Sequence, residues 1–120
     1  ERTVQVVIGG TDGDKRVLLH RRPDSGLLAG LWELPNHLCS EESMLPLTGL
    51  SAPLALPPGK HLFSHVEWRM TGELYRCAGL PQLPQGYAWS SLTELQATVA
   101  LPSAFRAYAA LLPSLLTGEV

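Results

Sequence analysis

The chain opens with two apolar runs set either side of a turn. Arg2 to Ile8 carries Val4, Val6 and Val7, β-branched residues that favour extended backbone. Arg16 to Arg22 carries Val17-Leu18-Leu19 at its centre. Between them, Gly9-Gly10-Thr11-Asp12-Gly13-Asp14 is rich in residues that tolerate positive φ. The arrangement predicts an antiparallel hairpin onto which the rest of the chain must build.

Proline and glycine keep the later elements short. Pro23 to Gly30 reads as a loop, and Leu31 to Leu34 as a brief strand that Pro35 stops. Ser40-Glu41-Glu42-Ser43 has the N-cap and first-turn acids of a short helix, which Pro46 would limit. Pro53, Pro57 and Pro58 mark an irregular crossing. From Lys60 to Cys77 the pattern is extended again. Val66, Trp68 and Met70 alternate with Glu67, Arg69 and Thr71, a period of two with one buried face. Gly72 predicts a bulge or bend before Glu73 to Cys77. Leu80 to Gly86 is a proline-rich loop, Ala88-Trp89 a short strand, and Ser91 to Leu95 a helical turn. Pro102 suits the first turn of a last helix, Ser103 to Leu112, with Ala104, Tyr108 and Leu111 on its core stripe. Interleaved strands and short helices predict an α/β sandwich around a mixed sheet.

The chain has 120 residues, 45% of them apolar, which is the size of one domain with one core. Its formal net charge of −2 makes it a poor candidate for gripping nucleic acid unaided. If it meets DNA, a local patch or a partner domain has to supply most phosphate contacts. The two cysteines, Cys39 and Cys77, stand far apart in no metal-ligand spacing and are expected to be reduced, packed thiols. No apolar run is long enough to span a membrane, and no signal peptide is apparent. The first residue is Glu1 and the last form a polar tail, Thr117-Gly118-Glu119-Val120, so a further segment is expected upstream.

One stretch is far more specific than these patterns. Arg22-Pro23-Asp24-Ser25-Gly26-Leu27-Leu28-Ala29-Gly30-Leu31-Trp32-Glu33-Leu34-Pro35 resembles the segment R-P-x-x-G-L-L-A-G-L-W-E-F-P of the MutY adenine DNA glycosylases, with Leu34 in place of Phe. Phe63-Ser64-His65 resembles the F-S-H loop of the same C-terminal domain. Tyr87-Ala88-Trp89, Leu92, Glu94-Leu95 and Leu101-Pro102-Ser103-Ala104-Phe105 resemble its closing strand, turn and helix. The resemblance runs from about Val4 to Tyr108.

The resemblance implies a Nudix-like α/β/α fold and a domain that reads 8-oxoguanine opposite the adenine to be removed. It implies duplex DNA as partner and a covalently linked N-terminal glycosylase domain carrying an iron–sulfur cluster. Residues 1–120 themselves would hold no cofactor, metal or catalytic residue. No membrane association is implied. The setting would be the bacterial cytoplasm and nucleoid, or the nucleus or mitochondrion of a eukaryote.

Within the motifs, the F-S-H loop carries the sharpest chemistry. Guanine N7 only accepts a hydrogen bond, whereas in 8-oxoguanine N7 bears a hydrogen and C8 a carbonyl. A serine hydroxyl is both donor and acceptor, so Ser64 can satisfy both lesion atoms. Phe63 can wedge at a base step or sit in the core, and His65 can touch phosphate or brace the loop. Arg21, Arg22, Lys60 and Arg69 are candidate phosphate contacts, although charges on strand edges are usually solvated. Leu31 and Trp32 read as core. Glu33 reads as solvent-facing or as capping a loop.

Two other functions compete. The Nudix fold is shared with pyrophosphohydrolases, MutT among them, so hydrolysis of oxidised nucleotides is one. That chemistry needs a helix bearing R-E-apolar-x-E-E, whose carboxylates hold Mg²⁺. Here no arginine lies between Arg22 and Arg69, and Glu41 and Glu42 are the only acids between Asn36 and Lys60. Adjacent residues diverge around a helix, so these carboxylates cannot share a face. The second competitor is a protein-interaction module without lesion contact.

Overall fold

The computed structural model describes residues 1–118; Glu119 and Val120, the end of the polar tail, lie outside the described residues. The N-terminal hairpin forms as the sequence predicts. β1 (Arg2–Thr11) and β2 (Asp14–Arg21) pair antiparallel, with Thr11 opposite Asp14 at the turn. Among the described residues five further strands join one sheet: β3 (Trp32–Glu33), β4 (Asn36–Leu38), β5 (Leu54–Leu62), β6 (Glu67–Arg76) and β7 (Tyr87–Ser90). The sheet order is β3-β2-β1-β6-β5, with β4 on β1 and β7 on β2. β1 and β6 run parallel and the other pairs antiparallel, so the sheet is mixed.

β1 is central and buried on both faces, which is why Val4 to Ile8 form an almost unbroken apolar run. Its one polar residue there, Gln5, is 2% exposed and donates from Nε2 to Ser43 Oγ at 2.6 Å. That bond ties the coil after β4 to the sheet. Ser40 to Ser43 leave a turn at Cys39–Ser40 and run on as coil rather than the expected helix. Too few residues precede Pro46 to repay helix nucleation. Pro57 and Pro58 also differ from expectation, since they lie within β5 and not in an irregular crossing. β5 is the sheet edge and slips register between Leu56 and Gly59, which is where a strand accommodates residues without an N–H.

α1 (Leu92–Ala97) is capped by Ser91, whose Oγ accepts from the Glu94 amide while the Ser91 amide donates to the Glu94 carboxylate. The expected last helix is broken into a 3-10 turn (Ser103–Phe105), α2 (Arg106–Ala109) and α3 (Leu112–Thr117). Pro113 has no amide to continue the ladder, and its ring clashes with the preceding turn. The core stripe survives the break. Ala104, Phe105, Tyr108, Leu112 and Leu116 are buried against Val4, Val6, Ile8, Val17, Leu19 and Leu34. Cys39 is exposed rather than packed, Cys77 is half-buried, and both thiols are free. Among the described residues no helix is long and apolar enough to cross a membrane.

Gly72 shows why a glycine sits inside β6. The strand runs through it without a break, and the register slip lies on β5 opposite. A Cβ at Gly72 would run into the Tyr108 ring and come within 2.9 Å of Leu56 Cβ. The missing side chain is the slot that seats Tyr108, whose hydroxyl donates to Met70 O at 3.4 Å. Gly72→Ala is therefore expected to destabilise the fold by about 1–3 kcal/mol, the usual range for overpacking. Thermal unfolding should show the loss as a fall of at least about 4 °C.

Candidate functional site

β1 alternation puts Arg2 in phase with Val4 and Val6, and its register partner on β6 is Met70. Trp68, two residues earlier on β6, is 6% exposed and lies on the same face. The Arg2 guanidinium therefore sits over the Trp68 ring, 4.7 Å from its centroid. Arg22, the first residue after β2, places its guanidinium over the same ring at 5.5 Å. Burial, and then the neighbouring charge of Arg22, push the Arg2 guanidinium below its ordinary pKa.

Arg22 is held by Glu33. The β2–β3 register sets His20 opposite Glu33, and Glu33 is 3% exposed. Its Oε1 accepts from Arg22 Nη1 and from Asn36 Nδ2, both at 2.8 Å. Its Oε2 lies 2.9 Å from His20 Nδ1. An ionised carboxylate only accepts, so the Nδ1 proton belongs to His20 in that state. Asn36 Oδ1 in turn accepts from Arg2 Nε at 2.8 Å. Glu33 is thus a buried hub, where the sequence reading expected a solvent-facing or loop-capping residue. The missed signal is its place directly across from His20.

Two loops hang on this hub. In the first, residues 23–30, Arg22 Nε donates to Leu27 O at 2.9 Å and the Gly30 amide closes onto Pro23 O at 2.9 Å. Leu28 sits at φ 57, a left-handed conformation uncommon for a large side chain. Leu31 is 45% exposed rather than core, while Trp32 packs against the core as expected.

The second loop, Phe63 to Val66, joins β5 to β6 and is closed by the Phe63 amide on Val66 O at 2.7 Å. The Phe63 ring meets Trp68 edge-on at 5.1 Å and His61 at 4.6 Å. It is half-buried against the core, whereas Ser64 and His65 are exposed. The structure thus brings Phe63 and Arg22 together at Trp68, with Ser64 and His65 exposed at the loop tip beside Phe63. It does not bring Lys60 and Arg69 there. These two are register partners on the alternate positions of β5 and β6 and belong to the opposite face from Trp68. Arg69 Nε donates to Glu67 Oε1 at 2.9 Å, and that bond holds the Glu67 carboxyl below its usual range. Arg21 is exposed and donates from Nε to Gly30 O at 3.3 Å.

Glu33 needs no metal to satisfy it, and among the described residues no group of His, Cys, Asp and Glu is arranged to hold one. Glu41 and Glu42 are exposed in the coil after β4.

The chain belongs to the NUDIX domain family, whose model matches residues 6–111. It is also similar to one branch of that fold. The adenine DNA glycosylase of Rattus norvegicus is 31% identical over 82% of this chain and 23% of its own length. The chain thus spans about a quarter of the curated relatives it matches. The C-terminal domain of mouse MUTYH, solved in complex with human PCNA, superposes with a TM-score of 0.62 at 28% identity, covering 93% of this chain and 88% of that one. A Nudix hydrolase from M. smegmatis, RenU, shares the fold with a TM-score of 0.64 at 17% identity, over 95% of this chain and 84% of that one. This is a MutY-like NUDIX domain.

Removing a partner from a buried ion pair strands the other charge. Glu33→Ala is expected to destabilise the domain by about 3 kcal/mol, the low end for such a change because Arg22 keeps some solvent contact. Glu33→Gln retains an acceptor for Arg22 and should lose less. Urea unfolding of the two variants at neutral pH checks both the size and the order.

Proposed function

We propose that this chain is the lesion-reading domain of an adenine DNA glycosylase, contacting 8-oxoguanine opposite the adenine that the glycosylase removes. The observation that carries the reading is the exposed Ser64 at a hairpin tip whose neighbour, Phe63, is anchored on Trp68. A base reader needs a polar atom free to meet the base and a support that holds it in place. Ser64 Oγ can accept from N7–H of the lesion and donate to O8. Against guanine it can donate to N7 but has no O8 to meet. Phe63 supports the loop from inside, and the exposed His65 would meet phosphate or brace the loop. The proposed partners are duplex DNA and an upstream glycosylase domain with an iron–sulfur cluster, in whichever compartment holds the genome. Base extrusion costs a few kcal/mol, and a grip on the opposite base would help to supply it.

In a full-length glycosylase carrying this domain, Ser64→Ala should lower the preference for 8-oxoguanine·adenine over guanine·adenine by at least about fivefold, the low end for a base contact. Single-turnover cleavage at saturating lesion duplex should stay near the parent rate, because the cleaving groups are elsewhere. Unchanged preference in both binding and cleavage would remove Ser64 as the reader. The single variant is more informative than Phe63→Ala, since Phe63 also packs against the core.

The hydrolase reading is separable by assay. With 8-oxo-dGTP and Mg²⁺, the 120-residue chain is expected to release no pyrophosphate above background, because Glu33 is engaged and, among the described residues, no group of His, Cys, Asp and Glu is arranged to hold a metal. Robust Mg²⁺-dependent release would favour the hydrolase. A protein-docking role has one specific support, the PCNA complex of the mouse relative. Binding of a sliding clamp with no lesion preference in the Ser64 experiment would favour it.

A further inference from the structure

The sequence makes Arg22 a candidate phosphate contact, yet its Nη1 and Nε are already engaged within the domain. Nη1 is on Glu33 at 2.8 Å, Nε is on Leu27 O at 2.9 Å, and the guanidinium carbon lies 5.5 Å from the Trp68 ring centroid. Its side chain is 16% exposed and that of Glu33 4%. A guanidinium fixed at that many points gains little by turning to a phosphate and would leave a buried carboxylate behind. What the same contacts do achieve is a physical link between two loops far apart in sequence. One arm of Arg22 holds residues 23–30 and its face holds Trp68, against which Phe63 packs at the base of the Ser64 loop.

We infer that Arg22 is a positioning residue that couples the 23–30 loop to the 63–66 loop through Trp68, and so sets where Ser64 stands. The inference rests on the lesion-reading role proposed above for its effect on DNA, but the coupling itself is a property of the free domain. Glu33 fixes the orientation of Arg22, and its second oxygen is taken by His20, so the fork has one seated arrangement. Lysine in place of Arg22 would keep the charge against Glu33. It has no planar fork, so it cannot hold Glu33 and Leu27 O together while keeping its charge over the indole. The conservative change therefore removes the coupling while retaining the ion pair.

The test has two arms on the 120-residue chain. In the first, backbone amide resonances are compared among the parent, Arg22→Lys and Trp68→Phe without DNA. Trp68→Phe keeps most of the core volume and weakens the surface on which the guanidinium lies, so it covers the case in which Arg22→Lys does not fold. Either variant should displace amides in both 23–31 and 63–66. Shifts confined to the loop nearer the substitution would overturn the coupling.

In the second arm, binding to 8-oxoguanine·adenine and guanine·adenine duplexes is titrated across a range of low salt concentrations. Arg22→Lys should lose lesion preference by at least about fivefold, as Ser64→Ala does, with the salt slope unchanged. A phosphate contact predicts the reverse. Arg22→Lys would keep the preference, and Arg22→Gln would reduce the slope of log affinity on log salt by about 0.9. If Ser64→Ala keeps its preference while the amide shifts span both loops, the lesion reading fails and the coupling stands. If Ser64→Ala loses preference and Arg22→Lys keeps it, the reading stands and this inference fails.

Discussion

The carboxylate of Glu33 sits where water barely reaches, and a buried carboxylate is tolerated only with partners. The partners here come from different parts of the chain: His20 from β2, Arg22 from the start of the glycine-rich loop, and Asn36 from β4. Satisfying one charge therefore fixes the relative placement of β2, β3 and β4. It also fixes Arg22, and with it the loop that follows. Asn36 passes the constraint to Arg2 on β1, whose guanidinium shares Trp68 with Arg22. The cluster stands apart from the aliphatic core yet touches it at Trp68, which also packs on Phe105 at 5.9 Å. Removing the carboxylate would leave two guanidinium groups close together over one ring, so the network is balanced only as a whole.

The two faces of the sheet are finished differently. One face is sealed by Phe105, Tyr108, Leu112 and Leu116, whose seat depends on the absence of a side chain at Gly72. The other is covered by coil, held by Gln5 on Ser43, by Ser51 on Arg76 and by Gly10 on Gly79. Nudix hydrolase chemistry needs a carboxylate-bearing helix, and the segment after β4 runs here as coil. That segment brings only Glu41 and Glu42, both exposed. A shared fold does not fix what its members do, so function has to be argued from the site.

Elements specified by local pattern were legible in the sequence. The first hairpin follows from two apolar runs across a glycine-rich turn, and β6 from the alternation around Trp68. α1 follows from a polar residue before its first turn. What escaped depends on distant partners. Glu33 looked solvent-facing because its ligands lie apart along the chain and meet only through sheet register. Pro57 and Pro58 argued against a strand, and β5 exists because it is the sheet edge, which no local window reveals. The last helix looked continuous because its apolar stripe is continuous, although Pro113 breaks the backbone beneath it. At the site, the motif brought Phe63, Ser64 and His65 forward, but Lys60 and Arg69 were grouped with them by sequence distance alone. Strand alternation puts those two on the other face.

Charge completes the physical argument. Lys15, Arg16, Arg22 and Arg69 each have a carboxylate oxygen within 3.7 Å, and Arg2 is committed to Asn36 and Trp68. The domain carries a net charge of −2, so cations already paired at close range add little to any long-range attraction for a polyanion. Sequence-independent DNA affinity comes chiefly from phosphate neutralisation. In the role proposed, a domain with this charge balance would discriminate once delivered rather than bind DNA tightly by itself. Discrimination of that kind uses short hydrogen bonds that neither need nor benefit from a strong field. Delivery by a covalent tether replaces attraction with effective concentration, which is insensitive to the sign of the domain's charge. In the lesion-reading role proposed, Ser64 beside the anchored Phe63 would choose between bases while adding little to the hold on DNA.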